Sequence, residues 1–98
     1  PEKVETPNDI IAHKKMVAIL VDYHLSENTI KYYRRYGIKP QQFSEKIYST
    51  VLEKHNITET EFQRSIEYYT DDTQRMQIVY SDVMEKLSSL QSEISSNQ

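Results

Sequence analysis

EKHNITETEFQRSIEYY, residues 53–69, carries the clearest local instruction in the chain. Thr58 followed three residues later by Glu61 is a capping box: the threonine oxygen accepts from the N3 amide, and the glutamate reaches back to the N-cap amide. Ile57 at N′ and Phe62 at N4 fill the two positions of a hydrophobic staple. One helix therefore ends near His55 and Asn56, and another begins after Thr58. The phrase has a counterpart 19 residues earlier, where Ile38, Phe43 and Ile47 precede Ile57, Phe62 and Ile66 at a constant offset. Pro40 stands there at the N1 position that proline favours. Two helices thus start with one device, and the remaining chain must pack around them.

Composition narrows the class. Ninety-eight residues make one domain with a single core. A net charge of −3 weighs against a general nucleic-acid binder, which is usually basic. With no cysteine there is no disulfide and no thiolate chemistry. One glycine, Gly37, leaves little material for hairpins or phosphate-cradling loops, so helices are favoured. No apolar run approaches the roughly 18 residues of a membrane span.

Periodicity then divides the chain. Residues 1–8 are polar and proline-bounded and read as a tether, residues 9–91 as the helical domain, and residues 92–98 as a frayed polar tail. Asn8 or Asp9 is positioned to cap the first helix, whose inward residues are Ile10, Val17, Leu20, Val21 and Leu25. Residues 16–21, MVAILV, are apolar nearly all round, which places this helix at the centre. Beyond Leu25 it either runs on to a stop at Gly37 or restarts with Ser26 as a cap. A second helix is expected over about residues 40–55, with Phe43, Ile47, Tyr48, Val51 and Leu52 inward. A third spans about 59–70, with Phe62, Ile66 and Tyr69 inward. Asp71 or Asp72 caps a fourth, in which Met76, Tyr80, Val83, Leu87, Leu90 and Ile94 recur at heptad spacing, with fraying beyond about Leu90. Short connections imply antiparallel neighbours, hence an all-α, up-and-down bundle of about four helices. The seam through Met76, Tyr80, Val83 and Leu87 offers a route to weak self-association.

Motifs of known chemistry are absent. His13, His24 and His55 show no helical metal-ligand spacing, and neither a nucleophile elbow nor a P-loop occurs. No enzyme activity, metal or cofactor is expected. Asp22 and His24 invite a catalytic reading, but residues two apart on a helix point about 200° apart and cannot bond directly. Asp22 interrupts the apolar run VAILVDYHL, where an unpaired carboxylate is costly. A tyrosine hydroxyl, a helix-start amide or a basic side chain would satisfy it, and Tyr69 on the third helix is the expected partner. KYYRRY, residues 31–36, interleaves cations with tyrosines. The acidic total disfavours nucleic acid as its partner, whereas Tyr and Arg dominate protein interface hot spots. Tyr32, Tyr33, Arg34, Arg35 and Tyr36 are therefore the candidate partner-binding residues. Their bland reading is a helix C-terminus in which Arg34 and Arg35 complement the dipole.

Three blocks together resemble a family: KMVAILVDYHLSE; then F-x-x-x-I-Y-x-x-V-L-E-K-H-N-I-T-x-x-E-F-x-x-S-I-E-Y-Y; then I-V-Y-S-D-V-M-E-K-L. They are similar to the small Bacteroidetes lipoproteins that carry a domain of unknown function, whose blocks read like iLvDlhl, kyGit.eqF..Sl.yY and iyd.V...L. The likeness covers about residues 15–87. His55 and Asn56 replace the family's usual Tyr-Gly, and asparagine tolerates the left-handed C-cap that this turn needs. Asp22, Ser65 and Tyr69 fall on the family's Asp and S-x-x-x-Y positions. The resemblance implies a lipidated cysteine a few residues before Pro1, a membrane anchor in the cell envelope (outer membrane or periplasmic face), and no known activity or catalytic residue. The expected role is a noncatalytic protein-binding or scaffold module with an envelope protein as partner. The alternative is a small ligand-binding or hydrolytic domain with a pocket near Asp22, His24 and the tyrosines.

Overall fold

The computed structural model describes residues 6–39 and 44–96. Within them the chain forms four helices and no strand: α1 (His13–Arg35), α2 (Ser44–Lys54), α3 (Glu59–Thr70) and α4 (Thr73–Ser96). This is the small all-α bundle that the periodicity predicts. α1 packs against α2 and α4, and α3 packs against α4. The chain reverses after α1 and again after α3. Between α2 and α3 it does not reverse. His55, just past the end of α2, reaches Asp22, Phe62 near the start of α3 stacks on Tyr23, and Tyr69 near its end reaches Ile11. α2 and α3 therefore run in succession back along α1, because the 11 residues of α2 are too few to cover the 23 of α1.

α1 is continuous through Ser26, whose hydroxyl donates to the Asp22 carbonyl inside the helix (2.8 Å) instead of capping a new one. Its start differs from the expected cap. Ala12 is the N-cap and supplies no side-chain bond. Asn8 and Asp9 lie in a turn closed by Ile10 N–H on the Pro7 carbonyl (3.0 Å), and the Asp9 carboxylate accepts from Arg64 (2.9 Å). Met16, Val17, Ile19 and Val21 are buried, so the apolar run is covered on most sides. Leu25, expected inward, is exposed, and Ile30 is the buried residue of the C-terminal half.

Both turns that follow α1 and α2 are Schellman closures. Gly37 (φ 77°) sends its N–H to the Arg34 carbonyl, and Ile38 N–H reaches the Tyr33 carbonyl (3.2 and 3.0 Å). Nineteen residues on, Asn56 (φ 59°) donates to Glu53 and Ile57 to Leu52 (3.0 and 2.9 Å). The repeat seen in the sequence thus extends to the helix stops. On α2, Val51 and Leu52 are buried and Ile47 and Tyr48 half-buried; Pro40 and Phe43 lie outside the described residues.

The capping box of α3 forms in full. Thr58 Oγ1 accepts from Glu61 N–H, and Glu61 accepts from Thr58 N–H (both 3.1 Å), with Ile57, Phe62 and Ile66 packed on the core. Asp72 caps α4, its carboxylate accepting from the amides of Gln74 and Arg75 (3.0 and 3.2 Å). The inward stripe of α4 is Met76, Val79, Val83 and Leu87, with Val79 wholly buried and Tyr80 58% exposed. Of the four residues expected to offer a self-association seam, Met76, Val83 and Leu87 face their own core and Tyr80 is exposed. α4 also continues to Ser96, past the expected fraying point near Leu90, although every residue from 88 to 96 is exposed.

Candidate functional site

Two surfaces concentrate polar chemistry, and a buried clamp fixes the segment leading into them. The first surface is a groove of about 620 Å³ between α1 and α4, bounded at one side by the end of α2. Its floor is apolar (Val17, Ala18, Val21, Leu90), and a His–Asp pair stands in its lining on each side. His13 Nε2 lies 2.6 Å from Asp82 Oδ2, joining α1 to α4. His55 Nε2 lies 2.6 Å from Asp22 Oδ2, and Lys54 Nζ donates to the same oxygen at 3.1 Å. An ionised carboxylate only accepts, so both imidazoles carry their proton on Nε2. Burial acts to raise the Asp22 carboxyl, but the hydrogen bonds from His55 and Lys54 outweigh it and hold the group below its ordinary range.

Asp22 and Tyr69 are not partners. The carboxylate has a basic side chain on either hand, while the tyrosine is engaged elsewhere. Helix direction explains the difference: α3 starts beside Tyr23 and runs toward the N-terminal end of α1, so Tyr69 reaches Ile11, well away from Asp22 near the middle of that helix. Asp22 and His55 are equidistant from Ile38 and Lys39, and residues equidistant from the reversal face each other in an antiparallel helix pair. That symmetry is a signal present in the sequence. His13 and Asp82, 69 residues apart, have no such local marker.

The clamp is built from Ser65 and Tyr69, one turn apart on α3. Ser65 Oγ accepts the Ile11 N–H (2.9 Å) and donates to the Glu61 carbonyl (2.8 Å). Tyr69 Oη donates to the Ile11 carbonyl (2.6 Å). Ile11, Ser65 and Tyr69 are all buried, so two side chains satisfy both backbone groups of one residue. This accounts for the S-x-x-x-Y spacing. Nearby, Tyr23 lies in a stack between Tyr48 and Phe62, with centroids 5.1 and 4.9 Å away, tying α1, α2 and α3 together.

The second surface is the C-terminal pole of α1. Tyr32 is 58% and Tyr36 65% exposed, with rings 4.8 Å apart, and Ile38 is exposed beside them. Tyr33 is half-buried, its ring edge-on to Tyr32. Lys31, Arg34, Arg35 and Lys39 are exposed, and none forms an ion pair among the described residues. The five residues singled out from KYYRRY are thus brought together at one end of the molecule. His24 is exposed and lies outside the groove.

Among the described residues no group of three His, Asp or Glu is arranged to hold a metal ion, and no helix is long and apolar enough to cross a membrane. No curated protein and no solved structure matches the chain. Residues 7–93, which take in α1 to α3, all but the last turn of α4 and both surfaces, match the family described as a domain of unknown function (DUF4296), and the chain belongs to that family.

Proposed function

We propose that this domain is a noncatalytic protein-binding module of the cell envelope, tethered to a membrane by a lipid on the preceding chain and presenting the pole of α1 to a protein partner. The observation that carries the binding reading is the pole itself. Tyrosine and arginine are the residues that dominate interface hot spots, and here they are exposed together with an isoleucine. The bland account of the cations is weakened by the Schellman closure, because the carbonyls of Tyr33 and Arg34 already accept from Ile38 and Gly37. Location and lipid rest on the resemblance to Bacteroidetes lipoproteins. The clamp is consistent with them: it fixes Ile11 at the end of α1 opposite the pole, so a tether there leaves the pole about 34 Å further out along the helix.

The test is photo-crosslinking in native cells, with a photoreactive residue at position 32 or 36 and a control at the exposed Glu67. A discrete crosslinked protein from 32 and 36 but not from 67 is expected. Equal labelling from all three, or none from the pole, overturns the reading. Metabolic labelling of the full-length protein with an alkynyl fatty acid tests the anchor, and an unlabelled protein refutes it.

The groove supports a second reading, the binding of a small ligand with an apolar body and charged ends, because Asp22 and His55 border its apolar floor. Its hydrolytic version draws less support. The hydrogen bonds among the described residues give neither His13 nor His55 a hydroxyl partner that would make a nucleophile. Ala18→Trp, which fills the groove, should abolish such binding without affecting the pole.

A further inference from the structure

We infer that the segment docking on the α1 pole is acidic: a carboxylate-rich stretch of another protein. This rests on the reading of the pole as a protein-binding surface and names the chemistry of its partner. From residue 28 to residue 44 the chain carries four cations and no carboxylate, and everything outside that stretch has a net charge of −7. Charge is therefore segregated, not merely low.

Outside the pole, Lys14, Lys15, Lys46 and Lys86 form no ion pair among the described residues, whereas one lysine and both arginines do. Lys54 pairs with Asp22, Arg64 with Asp9 and Arg75 with Asp72, each with a carboxylate from its own chain. At the pole Lys31, Arg34, Arg35 and Lys39 form no ion pair among the described residues, and Glu27, one turn before Lys31, is the nearest carboxylate along α1. Lys31 and Arg35 are one helical turn apart, as are Tyr32 and Tyr36, so a charged row runs beside an aromatic row. A peptide laid along this last turn places carboxylates on the first row, where the Arg35 fork can take one in bidentate fashion, and apolar groups on the second.

Size separates this partner from other polyanions. Five residues of helix, 31–35, span only about 8 Å, enough for a few carboxylates. A duplex or a bilayer is far broader and would draw the acidic remainder of the domain against a like-charged surface.

The test uses the full-length protein and a fluorescent Glu–Tyr random copolymer as probe, with oligo-dT and phosphatidylglycerol vesicles as rival polyanions. The wild type should bind the copolymer most tightly, and the affinity should fall steeply with salt. Lys31→Glu/Arg35→Glu should weaken it by roughly tenfold or more. Tyr32→Ala/Tyr36→Ala should weaken it while leaving the salt dependence unchanged. All four sites are exposed, and unchanged circular dichroism melts verify that the variants fold. No copolymer binding, equal binding by the charge-reversed variant, or tighter binding to oligo-dT or vesicles overturns the inference. So does a self-association that the same charge reversal dissolves, which would make a second copy the partner. A crosslink from position 32 that survives charge reversal sinks the acidic partner while leaving the protein-binding reading intact. Absence of any crosslink sinks both.

Discussion

The Tyr69 hydroxyl donates to the Ile11 carbonyl across 2.6 Å and thereby holds the segment preceding α1 against α3. Burial and the neighbouring Tyr68 push the phenol above its ordinary pKa, although a bond with Thr6 and the charge of Arg75 act against them, so it remains a donor throughout the neutral range. Tyr69→Phe keeps the ring and strands a buried carbonyl, which should cost about 1–3 kcal/mol. Ser65→Ala strands the amide of the same residue and should cost a similar amount. The two losses fall on one segment, so the double variant should cost less than the sum. Urea melts of the three variants measure this, and strict additivity would mean that the two bonds do not hold a common element.

Asp22 answers to pH through the carboxylate. Its folded pKa lies below the ordinary value of 3.8, so its contribution is present above that value and is lost as pH falls through the folded pKa. Asp22→Asn removes the charge that His55 and Lys54 address. With its side chain 21% exposed, the site lies between a surface pair and a buried one, and the variant should lose about 1–2 kcal/mol at pH 7. The difference from wild type should narrow once the pH drops below about 4. Denaturation at pH 7 and pH 3 checks both the size and the sign, and a gap that widens in acid refutes the assignment.

Gly37 and Asn56 perform one task with different residues, and substitution separates their costs. A Cβ at Gly37 meets nothing within 4 Å, so Gly37→Ala tests the backbone alone. At φ 77° it should destabilise by about 1–2 kcal/mol. Asn56→Gly should be neutral or slightly stabilising, since glycine adopts φ 59° freely. Thermal melts showing no loss for Gly37→Ala would mean that the turn relaxes out of the left-handed conformation.

Local instructions are legible in this sequence, and long-range pairings leave a mark only where a single reversal joins the two helices, as for Asp22 and His55. The Thr58–Glu61 box, the left-handed turn at Asn56 and the Asp72 cap each depend on a few neighbouring residues, so spacing reveals them. The stripe of α4 is misread at one position, because Tyr80 counts as apolar and keeps heptad spacing while Val79, one residue earlier, takes the core. Asp22 is legible as a group that needs a partner. Its pairing with His55 follows from the reversal between α1 and α2, whereas the exclusion of Tyr69 depends on the direction of α3, which nothing local to Asp22 specifies. The pole of α1 is legible because its residues are consecutive. The groove is assembled from three helices and is not.

The helix start at Thr58 gives the sharpest energetic contrast. Thr58→Ala removes the hydroxyl that accepts from the Glu61 amide, but Glu61 keeps its bond from the Thr58 N–H, so half of the box survives. The loss should be about 1 kcal/mol, and Thr58→Ser should recover most of it. Phe62 is four residues further on and does different work. Its ring stacks 4.9 Å from that of Tyr23 and packs on the core, yet it is only half-buried. Phe62→Ala should therefore cost about 3 kcal/mol, the low end for a deleted phenylalanine, by removing a contact between α1 and α3 as well as a staple residue. Urea melts of the three variants are the measurement. Equal losses for Thr58→Ala and Phe62→Ala would show that Phe62 contributes only to the local turn. The stack on Tyr23 would then carry no weight in holding α3 to α1.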